Sequence, residues 1–466
     1  MSTDLAHLPV HALAAKLKSR SVSPVDLVAT CLERIAKLDP KLHAFVEVYE
    51  SEARLAAEAA DKAIRSGHAI GPLHGIPIAL KDLIELEGRV ASGGSAAWRD
   101  RRCTRTATLA QKLISAGMIV IGKTHMVEFA YGGWGTNQHL GTPWNPWDDE
   151  THHTPGGSSS GSAVAVAARM VPCALGTDTG GSVRIPAAWC GITGLKTTIG
   201  RISTYGVLPL SPTLDTPGPL TRSVEDAAVL LQVMQGADPR DPRTQALRDA
   251  DPLPTLRRGV RGLRLARIAP GERDGVATDV LAAYDRSVSQ LEEMGAEIVD
   301  LRLPRRFRDY HESTIRRIGS AEAYALLSDI VDNDEQPIDD VVRSRVRAGA
   351  AISSREYLGA LAERERMKLE FAASFTHVDA LLAPVVMTPA IPLAAVDQRT
   401  MPTLFTRWAN FLDLCGLAVP NGFTASGLPL SLQIVCRGGD EAMALRIGWA
   451  WQNATDWHEG VPALAQ

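Results

Sequence analysis

GIPIALKD at residues 75–82 and MIVIG at residues 118–122 are short apolar runs bounded by glycine. Each has the length and the aliphatic side chains of a buried β-strand. Residues 107–117, between the two runs, form a helical stretch. Strands that alternate with helices along the chain predict an α/β fold.

The flanking chain continues this pattern. Two helices open the chain, and the second begins with Ser23 as its N-cap and Pro24 at its first helical position. An alanine-rich helix at residues 51–65 ends at Gly67. Further on we expect a helix at 163–169, a strand at 173–176, the strand GLRLARI at 262–268, a helix at 277–294, and strands at 380–386 and 430–436.

Composition excludes several classes of protein. Apolar residues make up 45% and charged residues 22%, as in globular proteins with a filled core. The formal net charge of -4 gives no basic field for a phosphate backbone, so we expect no nucleic-acid partner. No run reaches the roughly 18 apolar residues of a membrane span. The first 20 residues lack the basic-then-apolar order of a signal peptide, and the six cysteines contain no C-x-x-C pair, so we expect a cytoplasmic location.

Lys81 ends the first apolar run and precedes Asp82. Burial disfavours the charged form of an amine and therefore lowers its pKa. A drop of roughly three units from about 10.4, or about 4 kcal/mol, makes a lysine neutral near pH 7 and usable as a base. The alternative is a lysine that reaches solvent or forms an ion pair with Asp82.

Two glycine-rich segments carry serines. TPGGSSSGSAVAVAA at residues 154–168 leads a Gly-Ser loop into a helix N-terminus, where hydroxyls meet unpaired N–H groups. A flexible loop with a helix cap is the alternative interpretation. GTDTGGSVRIPA at residues 176–187 places two glycines before Ser182, so that successive N–H groups can turn inward around an anion. A nucleophilic serine needs such a nest and a nearby base.

These segments, in this order, resemble the amidase-signature family from about residue 71 to 228, and weakly again at the C-terminal end. The matching stretches are GIPIALKD, GKTHMVEFA, NPWD, PGGSSSGSAVAVAA, GTDTGGSVRIPAAWCGITGLK and LDTPGPLTRSVEDAA. The resemblance implies an α/β fold with a large mixed β-sheet, helices on both of its faces and a helical N-terminal segment. It also implies an amidase that acts on linear amide C–N bonds.

We expect one domain over residues 1–466, although residues 236–256 resemble an exposed excursion between two halves. Its parts are a helical N-terminal segment at 1–70, a signature catalytic core at 71–235 and a second α/β portion at 257–466 that completes the fold.

The resemblance assigns a role to each matching position. Lys81 matches the family's base, Ser158 the bridging serine on a cis peptide, and Ser182 the nucleophile. The N–H groups that match the oxyanion hole are those of Thr179, Gly180, Gly181 and Ser182. The residues alone do not decide which serine attacks.

These roles imply a mechanism. Neutral Lys81 takes a proton from Ser158, Ser158 takes one from Ser182, and Ser182 Oγ attacks the amide carbonyl. The nest holds the oxyanion, the departing nitrogen is protonated, and water hydrolyses the acyl-enzyme. No metal and no organic cofactor is expected.

Two other motifs predict different chemistry. GMIVIGKT at residues 117–124 matches a phosphate-binding loop, but Met-Ile-Val-Ile favours a buried strand and does not curl around phosphate. Residues 157–161 match G-x-S-x-G with Ser159 as nucleophile, but the preceding residues cannot form the strand that this motif follows. A Ser-His-Asp hydrolase is thus the weaker alternative. His152 and His153 are interpreted as a loop pair, because no third zinc ligand stands at a recognised spacing.

The segment after GKT lines the acyl pocket in this family. The resemblance therefore implies five substrate-binding residues, namely Ala130, Tyr131, Gly132, Gly133 and Trp134. The two glycines leave room and the two aromatic side chains offer walls, unless both pack in the core. We expect a small or aryl-bearing neutral amide, anilide or carbamate as substrate, no membrane partner, and a homodimer as the candidate assembly.

An alternative within the family is the glutamine-hydrolysing A subunit of a tRNA amidotransferase. That subgroup reads D-E-F-A-M-G and S-L-D-Q-I-G, whereas this chain reads VEFAYG at 127–132 and TLDTPG at 213–218. These departures favour an enzyme that acts alone. Arg184 is expected to pair with Asp178 and to brace the turn between them.

Overall fold

Eleven strands form one mixed sheet in the computed structural model, which describes residues 5–311 and 314–466. The strands are β1 Phe45–Val48, β2 Pro77–Lys81, β3 Ile119–Thr124, β4 Cys173–Asp178, β5 Thr193–Lys196, β6 Thr216–Thr221, β7 Arg264–Arg267, β8 Glu297–Asp300, β9 Ala380–Pro384, β10 Cys415–Phe423 and β11 Pro429–Cys436. Their order across the sheet is β1-β3-β2-β4-β6-β5-β10-β11-β9-β7-β8.

The sheet has a group of parallel strands on each side of an antiparallel centre, and the edge strand β1 pairs antiparallel with β3. Strand β2 runs parallel to β3 and β4, and β7 runs parallel to β8 and β9. The central neighbours from β4 to β9 pair antiparallel, including β5 with β10. Strands from both predicted portions therefore belong to one sheet.

Helices cover both faces of this sheet. Within the described ranges they are α1 Val10–Lys18, α2 Pro24–Leu42, α3 Glu50–Arg65, α4 Thr108–Ser115, α5 Ser160–Ala167, α6 Arg184–Trp189, α7 Val224–Met234, α8 Leu253–Leu256, α9 Thr278–Glu293, α10 Phe307–His311, α11 Thr314–Val331, α12 Asp340–Arg347, α13 Ser354–Ser374, α14 Arg407–Phe411 and α15 Glu441–Ala454. The predicted α/β class, mixed sheet and helical N-terminal segment are confirmed. No helix of the described residues has the length and apolar character to cross a membrane.

Side-chain alternation along β2 decides which face receives each residue. Ile78 and Leu80 join the apolar core beneath α4, α7 and α9, whereas Ala79 joins the second core beneath α2, α3 and α5. Successive side chains of a strand point to opposite faces, so Lys81 lies on the same face as Ala79. The strand thus directs the lysine towards helix α5, which packs against it.

Two local expectations differ from the structure. The sequence does not predict strand β6, because TPGPLT contains two prolines. The strand is nevertheless paired, and its pairing with β5 involves Leu220 and Thr221, beyond both prolines. The excursion expected at residues 236–256 is not fully exposed, because Asp238 and Asp241 are buried and accept hydrogen bonds from Ser203 and from the Thr204 backbone.

Helix α1 attaches to helix α7 through a carboxylate that is distant in sequence. Asp226 in α7 accepts hydrogen bonds from the backbone N–H groups of Val10 and His11, both at 2.9 Å, and from His11 Nδ1 at 2.8 Å. The first N–H groups of a helix have no partner within it, and a negative charge is favourable there. We propose on this basis that the N-terminal segment, described from residue 5 to residue 70, folds with the remainder as one domain.

Replacing Asp226 tests this attachment. Asp226→Ala leaves two N–H groups of α1 without their acceptor, and we expect it to lower the free energy of unfolding by about 2–4 kcal/mol. Equilibrium urea denaturation measures the change. Glu58→Ala, at an exposed position on α3, is the matched control with an expected effect within about 0.5 kcal/mol. Equal effects of the two substitutions would show that the contact does not stabilise the fold.

Candidate active site

Lys81 is fully buried at the end of β2 and contacts two hydroxyls. Its Nζ lies 2.7 Å from Ser158 Oγ and 3.0 Å from Thr177 Oγ1. Burial lowers the pKa of Lys81 to about 7, although the carboxylates of Asp178 and Asp215 favour the charged form. Asp82 forms its own hydrogen bonds with Ser92 and the Gly94 backbone. The structure thus supports the buried base and not the ion pair with Asp82.

The three consecutive serines have different surroundings. Ser158 follows a cis peptide bond from Gly157, and its hydroxyl is the one that Lys81 contacts. Ser159 Oγ lies 3.3 Å from both the N–H and the carbonyl of Thr177, so it joins the loop to β4. Ser160 begins α5. A reactive Ser159, as the G-x-S-x-G motif requires, is disfavoured because its hydroxyl is buried and bonded to backbone.

A carboxylate shapes the turn that follows β4. Asp178 accepts hydrogen bonds from the N–H groups of Gly181 at 2.7 Å and Val183 at 3.1 Å. The Arg184 guanidinium donates to both of its oxygens, at 2.9 and 3.0 Å, and Asn410 Nδ2 donates at 2.9 Å. Burial alone would raise the pKa of Asp178, but Arg184 holds it well below its usual range. The expected pairing of Arg184 with Asp178 is present.

This turn leaves N–H groups free to face a substrate. Within the described ranges, the N–H groups of Thr179, Gly180 and Ser182 have no hydrogen-bond partner. The N–H of Gly181 differs, because it donates to Asp178. Three of the four N–H groups expected to form the oxyanion hole are therefore available to bind an oxyanion. Thr179 Oγ1 donates to Asp215 at 2.5 Å, and burial raises the pKa of Asp215 to about 6.

A cavity opens above Ser182, whose residue surface is 8% exposed. Four of the five expected substrate-binding residues line it, namely Ala130, Tyr131, Gly132 and Gly133. Trp134 does not line it. Its ring stacks on Trp189 at a centroid distance of 5.3 Å, and its Nε1 donates to the Thr400 carbonyl at 3.1 Å.

Sequence reasoning missed several residues of the site. Thr177, which contacts Lys81, is the second residue of the motif GTDTGGS, and it reaches the lysine because β4 pairs with β2 in the folded sheet. Arg316 and Arg407 also line the cavity, but they come from distant helices. No local pattern marks them, because the contact exists only in the folded chain.

The competing motifs have structural roles elsewhere. Residues 119–124 form β3, whose backbone pairs with two strands, and Lys123 Nζ donates to the Ile84 carbonyl at 2.5 Å. His152 stacks on Trp144 at 4.4 Å, and His153 Nδ1 lies 3.3 Å from Asp148. Across the described ranges, no three His, Cys, Asp or Glu residues are arranged to hold a metal ion.

The geometry and the comparisons agree on the class. Residues 26–445 match the family model described as Amidase. The chain belongs to this amidase-signature family, and it is an enzyme that acts on amide C–N bonds. A bacterial aryl acylamidase of the family has a similar structure, with a TM-score of 0.89 and 27% identity over 98% of each chain.

Two relatives indicate a subgroup. The chain is 37% identical to the A subunit of glutamyl-tRNA(Gln) amidotransferase from Chloroflexus aurantiacus, over 99% of both chains. The crystal structure of the corresponding Thermotoga maritima protein is similar with a TM-score of 0.82 and 29% identity, covering 99% of this chain and 98% of that one.

These relatives overturn two expectations. The expectation of a stand-alone amidase for a small or aryl-bearing amide is wrong, because similarity to the amidotransferase relative extends over the full length. The two short departures, VEFAYG and TLDTPG, carry less weight than similarity along the whole chain. The expectation of a small-molecule partner without nucleic acid is also wrong, since the relatives' name specifies a glutamyl-tRNA. The net charge of one chain does not describe the surface of an assembly.

The ion pair beneath the turn gives a stability prediction. Arg184→Met leaves Asp178 as a buried charge without its cation, and we expect a loss of about 3–5 kcal/mol in the free energy of unfolding. Because the folded pKa of Asp178 is lowered, its contribution is present above the ordinary aspartate pKa of about 3.9 and is lost as pH falls towards the folded value.

Equilibrium denaturation at pH 7 measures this loss, and a series at pH values below about 3.9 should show the difference from wild type shrinking as the pH falls. Arg54→Met, at an exposed arginine that pairs with Glu50 on α3, is the matched control with an expected effect under about 1 kcal/mol. An Arg184→Met protein as stable as the Arg54→Met protein at pH 7 would contradict the assigned role of the pair.

Proposed function

We propose that this chain hydrolyses the side-chain amide of glutamine as the A subunit of an amidotransferase acting on glutamyl-tRNA(Gln). One observation carries the proposal: the chain matches A-subunit relatives from end to end, at 37% identity over 99% of both chains. The six cysteines are free and buried, which is compatible with the cytoplasmic location that we include in the proposal.

The geometry supports a three-residue catalytic group. In our proposal Lys81 is the base, Ser158 passes the proton, and Ser182 is the nucleophile. The Ser159 N–H donates to the Ser182 carbonyl at 3.2 Å, which holds the two serine segments side by side. Ser182 Oγ makes no hydrogen bond within the described part of the chain and lines the cavity, where a substrate carbonyl can approach.

The proposed reaction proceeds in two halves. Ser182 Oγ forms a bond to the amide carbon while its proton moves through Ser158 to Lys81, and the N–H groups of Thr179, Gly180 and Ser182 hold the oxyanion. The proton then returns to the nitrogen, and ammonia leaves. Water cleaves the acyl-enzyme to give glutamate, and in the proposed assembly the ammonia is used to amidate glutamyl-tRNA(Gln).

Two activities test the function. We expect the purified chain to release glutamate from glutamine. When it replaces its relative in the Chloroflexus aurantiacus amidotransferase, we expect it to transfer the ¹⁵N amide label of glutamine to glutamyl-tRNA(Gln). Ser182→Ala should lower both rates by about 10⁴-fold or more, as loss of a nucleophile does in other serine hydrolases. A wild-type chain that neither hydrolyses glutamine nor transfers the label would contradict the proposal.

The lowered pKa of Lys81 predicts a pH profile. A lysine accepts a proton only when neutral, so kcat/KM for glutamine should rise as pH increases through about 7 and level off above it. Lys81→Arg, which stays charged, should lose nearly all activity over the whole range.

Asp215 also has a pKa in this range, raised to about 6, and must be distinguished from Lys81. In Asp215→Asn the acid limb should persist but move to lower pH if Lys81 is the titrating base, because the Asp215 carboxylate that raises the pKa of Lys81 is gone. A profile without an acid limb at any pH at which this variant is folded would assign the limb to Asp215 instead.

A further inference from the structure

Arg407 lies in the wall of the cavity above Ser182, at the first position of α14. The side chain is half-buried, and within the described ranges it has neither an ion-pair partner nor a hydrogen-bond partner. Two neighbouring arginines already have hydrogen-bond partners within the protein. Arg184 binds Asp178 and Gln433, and Arg345 donates to the carbonyls of Tyr131 and Gln398. Arg407 is therefore a cation available to a ligand.

The guanidinium stands close to the nest. A methyl group placed on Gly180 would lie 3.2 Å from Arg407 Nε and 3.5 Å from its Cγ, so the side chain runs along the Gly180 backbone. Arg316 lies on the same cavity wall and is exposed. Burial, and after it the charges of Arg345 and Arg316, lower the pKa of Arg407. Positive charge thus accumulates beside the reacting centre.

A partly desolvated guanidinium without a counterion is costly, whereas one that binds a carboxylate gains two charge-assisted hydrogen bonds. Arginine is suited to this task because its planar fork matches the two carboxylate oxygens. We propose that Arg407, with Arg316 at the rim, binds a carboxylate on the acyl part of the substrate. The substrate class of the site is then amides whose acyl chain carries a second, ionised carboxyl group.

This inference rests on the proposed function, because glutamine is one member of the class, and it extends that function to others. No aspartate or glutamate lines the cavity among the described residues, so no carboxylate there is available to bind the α-ammonium group. Glutaramate has the chain and the carboxylate of glutamine without the ammonium. We expect it to be hydrolysed with kcat/KM at least equal to that of glutamine.

Kinetics with three substrates tests the assignment. Glutaramate and glutamine carry the carboxylate, and pentanamide is the neutral amide of similar length. In Arg407→Met we expect kcat/KM to fall on the order of 10- to 100-fold for both substrates that carry a carboxylate, mainly through KM, because charge-assisted hydrogen bonds are lost. Turnover of pentanamide should change by less than about threefold, which also reports that the variant is folded.

Two further variants complete the design. Arg407→Lys keeps the charge but not the planar fork, so it should recover part of the loss for glutaramate. Arg54→Met, on the surface of α3, should leave all three substrates unchanged. Equal losses for pentanamide and glutaramate in Arg407→Met would overturn the inference.

The outcomes also separate this inference from the proposed function. If wild type hydrolyses glutaramate in an Arg407-dependent way but not glutamine, the carboxylate site stands and the amidotransferase role fails. If wild type hydrolyses glutamine and transfers its amide nitrogen, but Arg407→Met is unaffected, the amidotransferase role stands and the carboxylate site fails.

Discussion

Burial of the Lys81 amine is the constraint on which the site depends. Burying a charged amine is costly in free energy. Two hydroxyl oxygens, at 2.7 and 3.0 Å from Lys81 Nζ, offset this cost, and among the described residues no carboxylate contacts the amine. Strand β2 directs the side chain beneath α5, strand β4 supplies Thr177, and the loop before α5 supplies Ser158. These three elements must pack together before the lysine can be buried with its pKa lowered to about 7.

The second constraint is the Asp178–Arg184 pair. Asp178 is fully buried, and its hydrogen bonds to the turn hold residues 179–183 in a fixed curve. The pair also removes one possible donor to a substrate, because the N–H of Gly181 donates to Asp178. The neighbouring N–H groups of Thr179, Gly180 and Ser182, residues that line the cavity, have no partner within the described residues. One ion pair thus both stabilises the fold and selects which backbone groups are available for chemistry.

Charge is distributed unevenly around the cavity. The carboxylates near the site, Asp178 and Asp215, bind residues of the turn, whereas Arg407, which lines the cavity beside Gly180, has no side-chain partner in the described structure. With the roles proposed for Lys81 and Arg407, the site suits a substrate that is uncharged at the amide and carries a carboxylate elsewhere. Glutamine meets this description, which connects the cavity to the full-length similarity with the amidotransferase relatives.

Local sequence determined the α/β class, the strand that ends in Lys81, the capped second helix and the Gly-Gly-Ser turn, because apolar periodicity and capping depend on neighbours in the chain. Tertiary structure alone decided which serine contacts Lys81 and that the N–H of Gly181 is bonded to Asp178. It also decided that Trp134 packs on Trp189 and that Arg407 lines the cavity above Ser182. Such contacts join segments far apart in sequence, and their geometry depends on the order of strands across the sheet, which no local pattern specifies.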